Sequence, residues 1–380
     1  MHFELLELPS ACEALRGEVR AFLNEHIAER SPVDRALSWS GGDPEFSRRL
    51  GARGWIGMTW PKRYGGGELS ALQRYTVLEE LLAAGAPVAR HWIADRQSGP
   101  MLLRVGSEAQ KDAILPAIAR GECYFCIGMS EPDSGSDLAS VRTRAEKTGG
   151  KWVINGSKVW TSGADQAHYM IALVRTGDAG ENRHGGLSQF LLPMNTPGVE
   201  VSPIPSLGGD SDFNQVTFTD VELDDDALLG EEGAGWSQVT SELALERSGP
   251  ERFLSSLQLL IVLCDALGPE PEPLAKRAIG ECTAELAVLR QMSLSVAGML
   301  EAGEDPGVQA ALIKDLGARF EQSLVNTAQR LLPIAPALRG PGSDYAHVLR
   351  RISQLAPSYS LRGGTREILR GIIARGLGLR

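Results

Sequence analysis

Cysteine is scarce in this chain: five residues in 380, too few for a disulfide framework in a protein of this length. Cys123 and Cys126 form a C-x-x-C, but it lies in a strand-like run with no second pair and no nearby histidine. Buried packing is therefore the expectation, and a zinc or redox role the minor alternative. The six histidines are scattered without metal-ligand spacing, so no metal site is expected. There is no lysine- or arginine-rich run, and the net charge is −10, which argues against nucleic acid as a partner. The longest apolar run, near Leu259–Cys264, is too short to span a bilayer. The first fifteen residues carry Glu4, Glu7 and Glu13 rather than a basic start with an apolar stretch, so neither a secretory nor an Arg-rich transit segment is expected and the cytoplasm is the expected location.

What is present is an ordinary soluble composition, 43% hydrophobic and 23% charged, in a chain long enough for two or three cores. Its periodicity changes twice. From Ser10 to Gly121 the pattern is helical. Ser10 is the expected N-cap of a first helix, Ser70 that of a second, and Ser107 with Gln110 has the spacing of a capping box. Trp60–Gly67 is a loop between them. From Glu122 to Gly230 the period is two. Lys151–Trp160 reads as a hairpin turning at Asn155-Gly156, followed by strands at Tyr169–Arg175, Gln189–Pro193, Val199–Ile204 and Gln215–Leu223. Strands this short and close predict a β-barrel or sandwich. From Gly235 onward helices return at about 236–266, 272–303, 307–332, 344–355 and 365–376, with Pro250 breaking or kinking the first. The expected fold is thus multidomain α+β: an N-terminal helical domain (1–121), a middle β-barrel domain (122–230) and a C-terminal helical bundle (231–380).

Two segments in the middle carry chemistry. Ile127-Gly128-Met129-Ser130-Glu131-Pro132-Asp133-Ser134-Gly135-Ser136-Asp137 is a strand end running into a loop dense in small and hydroxyl residues. Its backbone N–H groups suit an anionic or carbonyl-rich ligand; read alone, it is equally a decorated turn. Further on comes Asn155-Gly156-Ser157-Lys158-Val159-Trp160-Thr161-Ser162-Gly163. Together these resemble the two signatures of the acyl-CoA dehydrogenase family. Gly364-Thr365-Arg366-Glu367-Ile368-Leu369-Arg370 resembles the family's closing motif, Gly54-Trp55 through Gly65-Gly66 its N-terminal loop, and Phe218–Gly230 with Gly235-Trp236 its exit from the β domain.

The resemblance implies an FAD enzyme of lipid metabolism that desaturates an acyl-CoA thioester between its α and β carbons. It implies that Ile127, Met129 and Ser130 contact flavin, that Trp160 packs on the ring, and that Thr161 and Ser162 lie beside it. Thr365 and Glu367 would approach the cofactor from the C-terminal helix start, and Ser136 would lie along the CoA arm. Without the motifs, Trp160 would read as a core residue closing the hairpin.

The reaction needs a carboxylate against the α carbon and donors for the enolate oxygen. Most family members place that glutamate directly before the Gly-Thr of the closing motif, where this chain has Gly363. A minority branch, resembling isovaleryl- and long-chain-acyl-CoA dehydrogenases, carries it on a helix of the C-terminal domain just before an arginine. The corresponding segment here is Leu243-Ala244-Leu245-Glu246-Arg247. Glu246 is the expected base, against the alternative of a solvated helix glutamate; Arg247, Gly363 and Gly364 are expected at the substrate, with the Gly363 N–H as a donor. The Arg362-Gly363-Gly364 segment, where the family usually has a bulky residue and the acid, suggests a wider pocket and a branched or bulky acyl group.

The family's Arg-Phe-Gly and Gln-x-x-Gly-Gly elements, which hold the neighbouring subunit's FAD, are missing. The regions that would hold them are Gly268–Lys276 and Leu332–Gly340. A hetero-oligomer with a sister chain is one expectation and a homo-oligomer, dimer or tetramer, with altered FAD binding the other. An electron-transferring flavoprotein is the family's acceptor. Competing readings are a non-catalytic partner subunit, or a flavin-dependent oxidase or monooxygenase on the same fold.

Overall fold

The computed structural model describes residues 1–334 and 343–379, with side chains for all of these but 242–246. Residues 335–340 of the Leu332–Gly340 segment thus lie outside the described residues. The chain divides into two compact units. One comprises Met1–Gly42, Leu69–Ala89 and Ala244–Arg380; the other comprises Asp43–Glu68 and Arg90–Leu243.

The first unit is helical. Its long elements are Ser10–His26, Ala71–Ala83, Leu257–Leu267, Pro273–Glu301, Gly307–Leu331, Asp344–Leu355 and Arg366–Gly376. Ser70 and Gln73 form a reciprocal capping box at the start of the second. Ser10, expected as a cap, is instead the first helical residue. Pro9 takes the cap position and contributes only its carbonyl, because its side chain has no acceptor. After Glu246 the chain does not kink but breaks: Pro250–Arg252 is a single 3₁₀ turn, and the next helix starts at Leu257. A proline cannot donate to the ladder, which is why the turn begins with it. Leu259, Leu263, Leu324, Val348 and Ile352 centre the apolar core. A second tie is ionic. Glu79 and Glu80, both buried in the Ala71–Ala83 helix, receive Arg16 and Arg20 from the first helix and Arg290 from Pro273–Glu301. Arg290 grips Glu79 through two nitrogens at 2.6 and 3.0 Å.

In the second unit Ser107 and Gln110 form the predicted capping box on the Glu108–Ala119 helix. The sheet consists of β1 (Phe125–Gly128), β2 (Arg144–Thr148), β3 (Lys151–Ser162), β4 (Tyr169–Arg175), β5 (Leu187–Pro193), β6 (Val199–Ile204), β7 (Phe213–Leu223) and β8 (Leu228–Leu229). Its order is β6-β7-β3-β2-β4-β5-β8, with β1 joined to β4. Alternate residues of β1–β5 and β7 meet in one core that includes Cys126, Trp152, Ile154, Met170, Phe190, Val216 and Phe218, so the sheet curls around its own interior. Leu173 and Leu187 face the other way, onto Val141 and Val239 of the Gly235–Glu246 helix. Cys123 and Cys126 are buried free thiols, and burial pushes the Cys123 thiol up to about 12. Among the described residues no helix is long and apolar enough to cross a membrane.

The hairpin is displaced from its expected place. Lys151–Ser162 is one continuous strand, and the true turn is Gly149-Gly150, with φ of 62° and 84°, joining β2 to β3. Asn155-Gly156 is a bulge, marked by a register shift against β7 between Ile154 and Gly156. The strand continues through it because β7 pairs with both halves, and the Asn155 amide is satisfied across the sheet by Asp220 at 2.9 and 3.0 Å. Gly156, at φ 142°, lies so close to Thr143 that a Cβ would sit 2.6 Å from its hydroxyl and 2.7 Å from its Cα. Gly156→Ala is expected to destabilise the second unit by about 1–3 kcal/mol. Urea unfolding followed by tryptophan fluorescence checks this; an unchanged midpoint would show that the bulge tolerates a methyl group.

Candidate active site

The loop after β1 is bound to β3 by a buried ion pair. Lys158, fully buried, donates through Nζ to Glu131 at 2.7 Å and to the Met129 carbonyl at 3.1 Å. The Glu131 carboxylate also accepts from the backbone N–H groups of Arg142 (2.6 Å) and Thr143 (2.9 Å). The Val159 N–H donates to the Ser130 carbonyl at 2.9 Å. Burial pushes the Lys158 ammonium down to about 8 against the pull of Glu131, so it is still mainly protonated at neutral pH. Burial also acts to raise Glu131, but the Lys158 charge and the hydrogen bonds outweigh it and leave the carboxyl below its usual range. Glu131 and Ser134 then close a tight turn through paired backbone hydrogen bonds of 2.8 and 3.0 Å, and Ser136 stands exposed two residues beyond it.

One residue past Val159 the strand does something costly. Trp160 adopts φ 58°, left-handed for a bulky residue, inside a second register shift between Lys158 and Thr161. The bulge turns the indole outward, 59% exposed, with the Phe213 ring edge-on 6.1 Å away. Trp160 is therefore not a core residue. Beside it Thr161 is buried, its carbonyl accepting from Asn214 at 3.3 Å and its hydroxyl without a hydrogen-bond partner among the described residues. Ser162, Ser130, Met129 and Ile127 are half-buried. An exposed indole plate held by strained backbone, next to an unsatisfied hydroxyl, fits a flat ligand with apolar faces and a polar edge. An isoalloxazine has that form.

The remaining sequence-predicted residues lie in the helical unit. Arg247 is buried and donates through Nε to the Gly363 carbonyl at 3.2 Å. Gly363 and Gly364 have φ of 64° and 96°, so the turn they make is one that side chains resist. Thr365 caps the Arg366–Gly376 helix, its hydroxyl accepting from the Ile368 N–H. Glu367 is exposed in the first turn of that helix, where its own backbone N–H and the Thr365 hydroxyl hold its carboxyl below the usual range. Glu246 is the last residue of the Gly235–Glu246 helix, and its side chain lies outside the described residues. Glu131 and Lys158 went unassigned in the sequence reading although both stand inside its motifs. Two opposite charges, one just past the β1 strand and one within β3, were the available signal.

The chain matches the family models described as the acyl-CoA dehydrogenase N-terminal domain over residues 10–122, middle domain over 126–221 and C-terminal domain over 271–378. It is 33% identical to the acyl-CoA dehydrogenase IpdE1 of Mycobacterium tuberculosis, with 97% of each chain covered. The chain belongs to the acyl-CoA dehydrogenase family. It has the family's three-domain architecture, with helical N- and C-terminal domains and a middle β domain, and the family's general activity is FAD-dependent dehydrogenation of acyl-CoA thioesters. Among solved structures it is similar to the Tcur3481-Tcur3483 steroid ACAD (TM-score 0.86, 30% identity, 99% of each chain covered). It is also similar to the ChsE4-ChsE5 complex from Mycobacterium tuberculosis (TM-score 0.84, 28% identity, 99% of each chain covered).

Removing one member of the buried pair should be severe. Lys158→Met leaves Glu131 uncompensated and is expected to cost about 3–5 kcal/mol, while Glu131→Gln with Lys158→Met recovers part of that loss. Thermal unfolding of the two variants tests it; a double variant no better than Lys158→Met would show that the charges are not coupled. The pH dependence follows from Glu131: its folded pKa lies below the ordinary 4.5, so its stabilising contribution is present above pH 4.5 and is lost as the pH falls through the lower, folded value.

Proposed function

We propose that this chain is the base-bearing subunit of an acyl-CoA dehydrogenase that desaturates a bulky, polycyclic acyl thioester. The observation that carries the reading is the Gly363-Gly364 turn. Where most of the family places its catalytic glutamate, this chain has a left-handed glycine whose carbonyl is engaged by Arg247. Position 363 supplies no carboxylate, and the glutamate next to Arg247 in sequence is Glu246.

FAD, when bound, accepts the hydride from the β carbon. Trp160 would cover a ring face, the Thr161 hydroxyl and Ser162 would meet its polar edge, and Ile127, Met129 and Ser130 would line its side. Thr365 and Glu367, at the start of the Arg366–Gly376 helix, are likewise proposed as cofactor residues. Ser136 would lie along the CoA arm. Glu246 would take the α proton onto its carboxylate. The Gly363 N–H would donate to the thioester oxygen as negative charge builds there, and Arg247 and Gly364 would border the same carbonyl. Absent side chains at 363 and 364 leave room for a wide acyl group, and the similarity to a steroid ACAD supports a fused-ring substrate. Similarity to the ChsE4-ChsE5 complex, and the missing Arg-Phe-Gly and Gln-x-x-Gly-Gly elements, support a sister chain as partner. An electron-transferring flavoprotein is the proposed acceptor.

Glu246→Gln is expected to retain bound flavin and to lose about 10²–10⁴-fold in the rate of flavin bleaching under anaerobic acyl-CoA titration. Bleaching at the unaltered rate would remove Glu246 as base. In the same titration a steroid-type acyl-CoA should bleach the flavin and butyryl-CoA should not; the reverse order would refute the substrate class. Expressed alone, the chain should carry less than one flavin per subunit. A homo-oligomer fully loaded with FAD would refute the sister-chain reading.

A further inference from the structure

We propose that Arg362 is a positioning residue for proton abstraction, acting through the Gly363 carbonyl on Arg247. The inference rests on the reading of Glu246 as the base.

A side chain at position 362, next to the glycine turn, has two directions available: outward beside Gly363, or back into the helical unit. The structure shows the second. The Arg362 guanidinium lies between two aromatic rings, its carbon 4.3 Å from the Trp39 centroid and 4.7 Å from that of Tyr359. Nη2 donates to Glu321 at 3.0 Å, to the Ser255 hydroxyl at 2.8 Å and to the Glu251 carbonyl at 3.1 Å. Each partner is itself fixed. Glu321 is fully buried and accepts from the Ser255 N–H at 2.7 Å, and the Ser255 hydroxyl also accepts from the Trp39 indole N–H at 3.1 Å. Nε and Nη1 have no hydrogen-bond partner among the described residues.

This arrangement is expensive as a mere packing device. Burying a guanidinium costs several kcal/mol unless it is fully paired, and an apolar side chain between Trp39 and Tyr359 would fill the same space without that cost. What the charge adds is direction. A planar cation fixed on two ring faces and one carboxylate has one orientation, and its backbone is pinned with it. The next residue is Gly363, left-handed and free of any side chain that could hold it in place. Its carbonyl accepts from Arg247, and a Cβ on Gly364 would stand 3.6 Å from the Arg247 guanidinium. Arg362 thus anchors a turn that cannot anchor itself, and the turn orients the arginine that follows Glu246.

The test is a double-mutant cycle on kcat/KM with Arg362→Lys and Arg247→Gln, using the flavin-loaded enzyme. Arg362→Lys keeps the charge but not the stacked fork, and is expected to lower kcat about 10–100-fold with KM for the acyl-CoA little changed. The double variant should be no slower than Arg247→Gln alone, and additive losses would overturn the proposal. A merely structural role would lower the melting temperature and leave the turnover of the folded enzyme intact, which would also overturn it. Where Arg362→Lys is too unstable to assay, Glu321→Gln loosens the same anchor more gently and should shift the acidic limb of the kcat/KM pH profile; an unmoved limb counts against the proposal. Full activity of Glu246→Gln, by contrast, sinks the base assignment, whereas the cycle still reads the coupling between positions 362 and 247.

Discussion

The Lys158–Glu131 pair fixes the geometry of the loop after β1 against β3. It joins the loop after β1 to β3 at the point where β3 is about to leave its register. A loop of small residues has no core of its own, and a strand carrying two bulges has an interrupted ladder. A buried ammonium bound to both a carboxylate and a backbone carbonyl holds the two together in one arrangement. Without it, Trp160 would have no reason to remain in a left-handed conformation with its indole turned away from the core. The cost of that conformation is offset by the surrounding hydrogen bonds and brings no evident structural return.

The helical unit handles charge in the same way but for a different end. Glu79 and Glu80 with Arg16, Arg20 and Arg290 hold the N-terminal helices to the Pro273–Glu301 helix. Glu321 with Arg362 fixes the approach to the Gly363-Gly364 turn. In each case a buried acid meets a guanidinium in a fork or a stack rather than a lone ammonium, and geometric definition is what arginine supplies beyond charge.

Much of this was legible in the residues. The capping boxes at Ser70 and Ser107 were readable because three-residue spacing of a hydroxyl and an amide is a local device. The strand at Val199–Ile204 was readable from its alternation, and that at Tyr169–Arg175 as a short apolar run buried on both faces. The Asn155-Gly156 turn was misread because its signal is local while its outcome is not. Where β7 runs alongside both halves, the cheapest structure is a bulge and the strand goes on. Ser10 failed as a cap for the opposite reason: the proline before it had already fixed the backbone there.

The sequence by itself determined the period changes that separate helix from sheet, the family motifs, and the absence of a carboxylate at position 363. All three are properties of residues near one another along the chain. Only the tertiary structure decided that Trp160 faces outward, that Glu131 and Lys158 meet, and that Arg362 turns back between Trp39 and Tyr359 to hold a glycine turn. Those outcomes depend on which distant segments become neighbours. A buried charge or a strained backbone is tolerated only where such neighbours compensate it.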